Sequence, residues 1–106
     1  MNISELFGAL QQKAEKASLD ASLEVSVSVT LTGSDPAQWQ ARAEGGRLTL
    51  AEGENPGADV TVTASSETAI ALYEKKLSPM MAFLTGKIKL GGDVAKIALL
   101  KKLAGK

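Results

Sequence analysis

The stretch that decides the fold reads LSPMMAFLTGKIKLGGD and spans residues 77–93. Its first half predicts a short helix. Ser78 is a good N-cap, because its hydroxyl can accept a hydrogen bond from a backbone N–H of the first turn, and Pro79 at the next position has a φ that already suits a helix. Gly86 stands where a glycine commonly ends a helix in the left-handed conformation.

The second half of the stretch predicts a strand and the start of another helix. Residues 87–90 alternate lysine with isoleucine or leucine, which is typical of a half-buried strand. The glycines at 91 and 92 are expected to end this strand, and Asp93 is expected to cap a helix over residues 94–104. Apolar residues spread over most of that last helix, so it is expected to pack deeply or to face a second apolar surface.

The short helix of the quoted stretch has no polar face. Residues 80–84 are Met-Met-Ala-Phe-Leu, and such a helix must be covered on every side or must line an apolar space. Methionine adapts its shape readily, so the pair Met80-Met81 suits a surface that repacks around different ligands. Ordinary core packing explains the same residues, and the pattern alone leaves both interpretations open.

The composition indicates one domain with an aliphatic core. The chain has 106 residues, of which 44% are hydrophobic and only 4% are aromatic. It has no cysteine and no histidine, which excludes disulfides, thiolate nucleophiles, histidine-based triads and the usual zinc ligands. Because the sequence shows neither an apolar run long enough to cross a membrane nor the pattern of a signal peptide, a cytoplasmic location is expected.

Charge is divided unevenly along a chain whose net charge is zero. Residues 1–74 contain four basic and eleven acidic side chains, whereas residues 75–106 contain eight lysines and a single acid. The basic end favours either transient contact with an anionic membrane surface or simple solvation beside the acidic half. The lysines proposed for that contact are Lys96, Lys101 and Lys102. Nucleic acid is not expected as a partner, because this end lacks arginine and stacking aromatics.

The rest of the chain predicts an α+β fold. Residues 23–32 have leucine or valine at every odd position, which places these side chains on one face of a sheet. The predicted order is helix 3–17, strands 23–32, 38–44, 47–50 and 59–63, a helix from Ser65 or Ser66 to Leu77, the short helix, strand 87–90 and helix 94–104. Sequential hairpins are expected to make the first four strands antiparallel. The predicted class is a five-stranded, mainly antiparallel sheet with helices covering its aliphatic face.

The sequence contains no catalytic or metal-binding pattern. Thr85-Gly86-Lys87 is similar to part of a phosphate-binding loop, but Met81 stands where that loop needs a glycine and Ile88 where it needs serine or threonine. The carboxylates lack the spacing of a calcium-binding loop. With neither histidine nor cysteine present, an enzyme is not expected, and no cofactor or metal is predicted.

Residues 59–103 resemble the sterol carrier protein type-2 domain family. The likeness is carried by Pro79, Ala82-Phe83, Gly86-Lys87-Ile88-Lys89 and the glycine at 92 or just before it. The order of elements fits essentially the whole chain. The resemblance implies a single lipid-binding domain over residues 1–106, with a hydrophobic tunnel between sheet and helices. The ligands it implies are fatty acids, fatty acyl-CoAs, phospholipids or sterols, bound without catalysis.

The tunnel wall implied by the resemblance falls on two helices and one strand. Its lining residues would be Met80, Met81, Phe83, Leu84, Ile88, Leu90, Ile97 and Leu100. Family members often carry glycine at the position of Lys75 and a polar residue at that of Met80. This tunnel is therefore expected to be more apolar than theirs and to lack one head-group contact.

Two functions of different classes follow from this sequence. The first is non-catalytic binding, and possible transfer, of an apolar lipid by a monomer or weak homodimer. The alternative is an accessory or oligomerisation domain with a closed core and no ligand, since the implied fold also occurs appended to enzymes. Uptake of an apolar ligand by the native protein separates the two.

Overall fold

The computed structural model describes the backbone of residues 1–104 and the side chains of residues 1–99. In chain order the elements are α1 (Ile3–Lys16), β1 (Val25–Thr32), β2 (Ala37–Glu44), β3 (Arg47–Glu52), β4 (Val60–Ser65), α2 (Ser66–Tyr73), α3 (Pro79–Leu84), β5 (Ile88–Gly92) and α4 (Val94–Ala104). The predicted α+β class with a five-stranded, mostly antiparallel sheet is confirmed. Within the described part of the chain, no helix is both long and apolar enough to cross a bilayer.

The strands are ordered β3-β2-β1-β4-β5 across the sheet. Three of the four pairs are antiparallel, but β4 lies beside β1 and runs parallel to it. The prediction that the first four strands are joined as antiparallel hairpins is therefore wrong after β3. The observed order places Val60 opposite Val27 and Val62 opposite Val29. It thus brings the two valine-rich strands together, where both contribute to one apolar surface.

The register separates an aliphatic face from a polar face. Val27 and Val29 of β1 align with Ala41 and Trp39 of β2, and Leu90 of β5 aligns with Val62 of β4. Because side chains alternate along a strand, all of these residues share the aliphatic face. Serine, threonine and glutamine occupy most of the intervening positions, as the sequence pattern predicts.

Two hydrophobic clusters lie beneath the aliphatic face. The first is made of Ile3, Leu6, Phe7, Leu31, Trp39 and Ala64. The rings of Phe7 and Trp39 lie 5.1 Å apart, centroid to centroid, in a tilted arrangement. The second cluster is smaller and contains Val25, Ala43 and Val60. Since α1 contributes buried residues only to the first, it leaves the second half of the face to other segments.

The short helix α3 has the boundaries that its sequence predicts. The hydroxyl of Ser78 accepts a hydrogen bond from the backbone N–H of Met81 at 3.1 Å, and Pro79 is the first helical residue. Gly86 follows the C-cap with a φ of 77°, in the left-handed region that glycine tolerates best. The local sequence therefore fixes both ends of α3.

The sequence pattern predicted that the strand stops before the glycines at 91 and 92. In the structure both glycines belong to β5, which ends at Gly92. Gly92 lies opposite Val60, and a Cβ at this position would stand 2.3 Å from the backbone oxygen of Asp59. The residue is glycine because the two strands approach too closely here for any side chain. Asp93 then caps α4 as predicted, with its carboxylate accepting the backbone N–H of Ala95 at 2.9 Å.

We expect Gly92→Ala to destabilise the fold strongly. The new Cβ would collide with a backbone atom, and the φ of 105° is strained for alanine, a combination expected to cost about 2 kcal/mol or more. Gly8→Ala in α1 is the control, because a Cβ there meets nothing within 4 Å and alanine favours a helix by about 0.5–1 kcal/mol. Urea unfolding measures both, and a Gly92→Ala protein as stable as the parent would contradict the observed approach of the two strands.

A carboxylate network joins α1, the β1–β2 loop and α2. Glu67 accepts hydrogen bonds from the hydroxyl of Ser34 at 2.5 Å, from the backbone N–H of Ser34 at 3.2 Å and from the hydroxyl of Ser66 at 3.0 Å. These bonds, the Ser34 hydroxyl first, lower the pKa of Glu67 to about 2. The hydroxyl of Ser66 also accepts from the backbone N–H of Asp35, whose carboxylate accepts from the backbone N–H of Ile3.

The depressed pKa of Glu67 predicts a particular loss of stability in acid. Its contribution is fully present above the ordinary pKa of 4.5 and is lost as the pH falls toward the folded value of about 2. Glu67→Gln is expected to lower stability at neutral pH and to flatten the decline between these two values. Urea unfolding over a pH series tests this, with Glu54→Gln in the β3–β4 loop as the control. The same acid slope in Glu67→Gln and in the parent would contradict the assignment.

Candidate functional site

An apolar pocket lies on the half of the aliphatic face that α1 does not cover. Its volume is 380 Å³, within the range of about 300–1,000 Å³ that is usual for small-molecule sites. The lining residues are Leu19, Leu23, Val25, Val27, Ala41, Arg42, Ala43, Leu48 and Val62. Nearly all of them are aliphatic, so the pocket is suited to a hydrocarbon group rather than to a polar ligand.

The sheet forms the floor of the pocket. Val27 aligns with Ala41, and Ala43 aligns with both Val25 and Leu48, so the floor spans the three strands β1, β2 and β3. The alanines of β2 are small, and the space above them is not filled by their own side chains. An alternating strand with small residues on its inner face therefore leaves room between sheet and covering segments.

The segment between α1 and β1 forms the edge of the pocket. The backbone N–H of Leu19 donates to the oxygen of Gly46 at 3.0 Å, and that of Leu23 donates to the oxygen of Asp20 at 3.0 Å. The carboxylate of Asp20 also accepts from the hydroxyl and the backbone N–H of Ser22, and the backbone bond is the main cause that lowers the pKa of Asp20. These bonds hold Leu19 and Leu23 beside the sheet.

Three of the predicted tunnel residues on α3 lie at the surface. Met80, Met81 and Leu84 are 44%, 52% and 68% exposed, respectively. Phe83 is half-buried, and Ala82 between them is fully buried. In this structure α3 thus has one buried side and one apolar side that faces outward.

The predicted tunnel residues after α3 lie closer to the pocket. Leu90 is aligned with Val62, a pocket residue, and Ile97 of α4 packs against the second cluster. Ile88 instead packs against the first cluster. The side chain of Leu100 lies outside the described residues. The structure therefore brings Leu90 and Ile97 next to the pocket wall, while Met80, Met81 and Leu84 point away from the protein.

Sequence reasoning missed most of the pocket itself. The alternating pattern identified the aliphatic face that carries Val27 and Ala41, but not which part of that face stays open. Nothing in the local sequence shows that Leu19 and Leu23 fold over β1 and β2, since residues 17–24 form neither a helix nor a strand. The small size of Ala41 and Ala43 was the one available signal.

A polar pocket of 390 Å³ adjoins this end of the sheet. Lys96 donates to the backbone oxygen of Glu24 and lies 3.9 Å from the carboxylate of Asp59, while Arg42 lies 3.8 Å from that of Glu44. The backbone N–H of Ser26 is the main cause that lowers the pKa of Asp59, with the charge of Lys96 adding to it. Three carboxylates stand against two cations here, so the pocket does not favour an anionic head group.

No group of three or more acidic side chains within the described residues is arranged to hold a metal ion.

Comparison with known proteins identifies relatives of the chain. A model of the SCP-2 sterol transfer family matches residues 4–105. Hydroxysteroid dehydrogenase-like protein 2 of Rattus norvegicus is 33% identical over 75 residues, which are 69% of this chain but only 14% of that protein. The chain thus matches a small part of this much longer relative.

Solved structures share the fold over nearly the whole chain. Palmitated SCP2L2 from Aedes aegypti superposes with a TM-score of 0.80 at 22% identity, covering 100% of this chain and 96% of that one. The crystal structure of Sterol Carrier Protein 2 Like 2 from Aedes aegypti superposes with a TM-score of 0.71 at 27% identity, covering 97% and 91%.

Proposed function

Because this chain belongs to the SCP-2 sterol transfer family, we propose that it acts as a single, non-catalytic domain that binds an apolar lipid between its sheet and its helices. The observation that carries the proposal is the aliphatic pocket of 380 Å³ bordered by Leu19 and Leu23. Its aliphatic walls offer dispersion contacts and apolar surface, which is what a hydrocarbon ligand needs. Transfer of the lipid between membranes is the further step that the family description suggests.

We propose that the bound part of the lipid is a single acyl chain of a fatty acid, a fatty acyl-CoA or a phospholipid, in preference to a sterol. The pocket volume lies near the lower end of the usual range, which favours a slender chain over a rigid ring system. The palmitated state of the similar Aedes aegypti domain agrees with this choice. The polar pocket at the sheet end would leave an anionic head group outside, in solvent.

We propose that a longer chain continues from the pocket past Leu90 and Ile97 toward α3. The alignment of Leu90 with Val62 and the packing of Ile97 on the second cluster support this route. Of the tunnel lining that the family resemblance implies, Leu90 and Ile97 would then hold the distal part of the chain, whereas the exposed Met80, Met81 and Leu84 would not contact it. Each methylene that enters contributes about 0.8 kcal/mol, so affinity should rise about fourfold per carbon until the site is full.

Displacement of a fluorescent fatty acid from the purified protein tests this function. Unlabelled fatty acids of increasing length, an acyl-CoA, a phospholipid and a sterol serve as competitors. We expect saturable binding, competition by the acyl ligands and an affinity that stops rising at one chain length. That length measures how far the ligand extends beyond the pocket.

A second function would follow if the folded protein took up no ligand. The match to a small part of a longer relative favours an accessory domain, which would stabilise or assemble a larger protein. A closed core without uptake would support that role and would contradict lipid binding. The monomeric or weakly dimeric state and the cytoplasmic location stay predictions from the sequence.

A further inference from the structure

The outward side of α3 is an apolar surface that is exposed to solvent. Met80 lies four positions before Leu84 and Met81 lies three positions before it. These spacings place both methionines next to Leu84 on one side of the helix. They are three of the six large hydrophobic residues that are exposed in the described part of the chain. Ala82, which points the other way, is fully buried. The exposure therefore belongs to one defined face of the helix.

Lysines stand at both ends of this face. Residues 75–92 contain Lys75, Lys76, Lys87 and Lys89 and no acidic residue, and all four lysines are exposed. The backbone N–H of Lys87 donates to the oxygen of Ala82 at 2.8 Å, which fixes Lys87 directly after the helix. Lys76 makes a 3.4 Å ion pair with Glu74, the nearest acid in the sequence. The apolar turn is thus bracketed by positive charge in a chain whose net charge is zero.

Lys75 directly follows the C-cap of α2 and has the left-handed conformation that ends many helices. It is the one non-glycine residue with a positive φ, 61°, among the described residues. Glycine takes this conformation without strain, whereas a side chain pays for it. Lys75 is exposed and lies a few residues before α3, so its charge is available beside the apolar turn.

We propose that the outward side of α3, with Lys75 and Lys87 on either side of it, docks on the surface of a bilayer that contains anionic lipids. Met80, Met81 and Leu84 would enter the boundary between head groups and acyl chains, and the lysines would contact the lipid head groups. This proposal goes beyond ligand binding and does not depend on which lipid the pocket holds.

Two other parts of the protein, α1 and Lys96, offer less to a bilayer. The apolar face of α1 is used in the core, where Ile3 and Leu6 are 3% and 1% exposed, so this face is not available to a bilayer. The ammonium group of Lys96 is held by the oxygen of Glu24 and lies near Asp59. The side chains of Lys101 and Lys102 lie outside the described residues.

A bilayer fits this surface better than a protein partner does. Protein interfaces draw most of their affinity from tryptophan, tyrosine and arginine, and they bury about 800 Å² on each side. The α3 surface is a single helical turn, and residues 75–92 contain none of those three residue types. Flexible methionines and mobile lysines suit a fluid surface that has no fixed shape.

Sedimentation of the whole protein with vesicles tests the proposal. Vesicles of phosphatidylcholine alone are compared with vesicles that also contain phosphatidylserine. We expect binding to the anionic vesicles, weakened by salt, and about tenfold or greater loss in the double variant Lys75→Glu, Lys87→Glu. The matched control is Lys16→Glu with Arg47→Glu, which makes the same change of net charge at exposed positions elsewhere.

A second variant tests the docking through a fluorescence signal rather than through a loss of vesicle binding. Leu84→Trp, at a position 68% exposed, should shift its fluorescence to the blue with anionic vesicles, whereas Lys16→Trp should not.

Three results would overturn the proposal: no binding of the parent, an equal loss in the charge control, or an unchanged Leu84→Trp spectrum. Concentration-dependent dimerisation that Met81→Ser abolishes, without vesicle binding, would assign the surface to a second copy of the chain. Because no fluorescent fatty acid is used, failure here is distinct from failure of the lipid-binding function.

Discussion

Ala41→Leu is expected to weaken fatty-acid binding about 50-fold while the protein stays folded. Ala41 lies on the pocket floor, and the larger side chain would occupy the volume of about three ligand methylenes. At about 0.8 kcal/mol each, their exclusion costs about 2.4 kcal/mol of binding free energy. Displacement of a fluorescent fatty acid measures the change in dissociation constant, and circular dichroism checks the fold.

The control for this variant is the same substitution on the polar face. Ala51 of β3 is exposed and aligned with Gln40, so Ala51→Leu adds the same three carbons away from the pocket. Its affinity should equal that of the parent. If Ala41→Leu bound the fatty acid as tightly as Ala51→Leu, the ligand would not lie above β2, and the pocket could not be the binding site.

Leu6→Ala is expected to lower the free energy of unfolding by about 2–5 kcal/mol. Leu6 is 1% exposed and belongs to the cluster in which Phe7 and Trp39 pack, so its truncation leaves a cavity that the neighbouring rings cannot close. A domain of this size has a total stability of about 5–15 kcal/mol, so the loss is a large share of it. Urea denaturation followed by Trp39 fluorescence measures the change.

Leu84→Ala is the matched control, because it makes the same truncation at a leucine that is 68% exposed. We expect a change within about 0.5 kcal/mol, as for most surface substitutions. A loss equal to that of Leu6→Ala would mean that α3 is packed against the rest of the protein, and it would contradict both the observed exposure and the proposed docking surface.

The strand prediction shows where sequence reasoning stops. Alternation along residues 23–32 correctly placed the valines and Leu31 of β1 on one face of the sheet, although the strand begins at Val25 and the polar Ser26 and Ser28 are buried as well. Which side chains share a face depends only on the geometry of a single strand. The partner of β4 depends on which apolar strands are buried together, and it was predicted wrongly. The pairing of Val60 with Val27 is a long-range choice that no local pattern encodes.

The candidate site likewise contains residues that the sequence predicted and residues that it did not. Leu90 and Ile97 were predicted from the family resemblance and lie next to the pocket wall, although their part in binding stays a prediction. Leu19 was not predicted, and Leu23 was predicted as part of the first strand rather than of the pocket edge. Both lie in an irregular segment whose position is set by hydrogen bonds to Gly46 and within its own turn. Their contribution became visible only when the segment was seen against the sheet.

The sequence by itself determined the local structure: the caps of α3, the left-handed Gly86, the alternation of β1 and the aliphatic composition of the core. These features follow from hydrogen bonds and side-chain periods within a few residues. Only the tertiary structure decided that β4 lies beside β1, that Gly92 must pass close to Asp59, that the pocket is open above Ala41 and that α3 exposes its methionines. The physical reason is that burial is shared among distant segments, so which apolar residues are covered depends on how all the elements pack together.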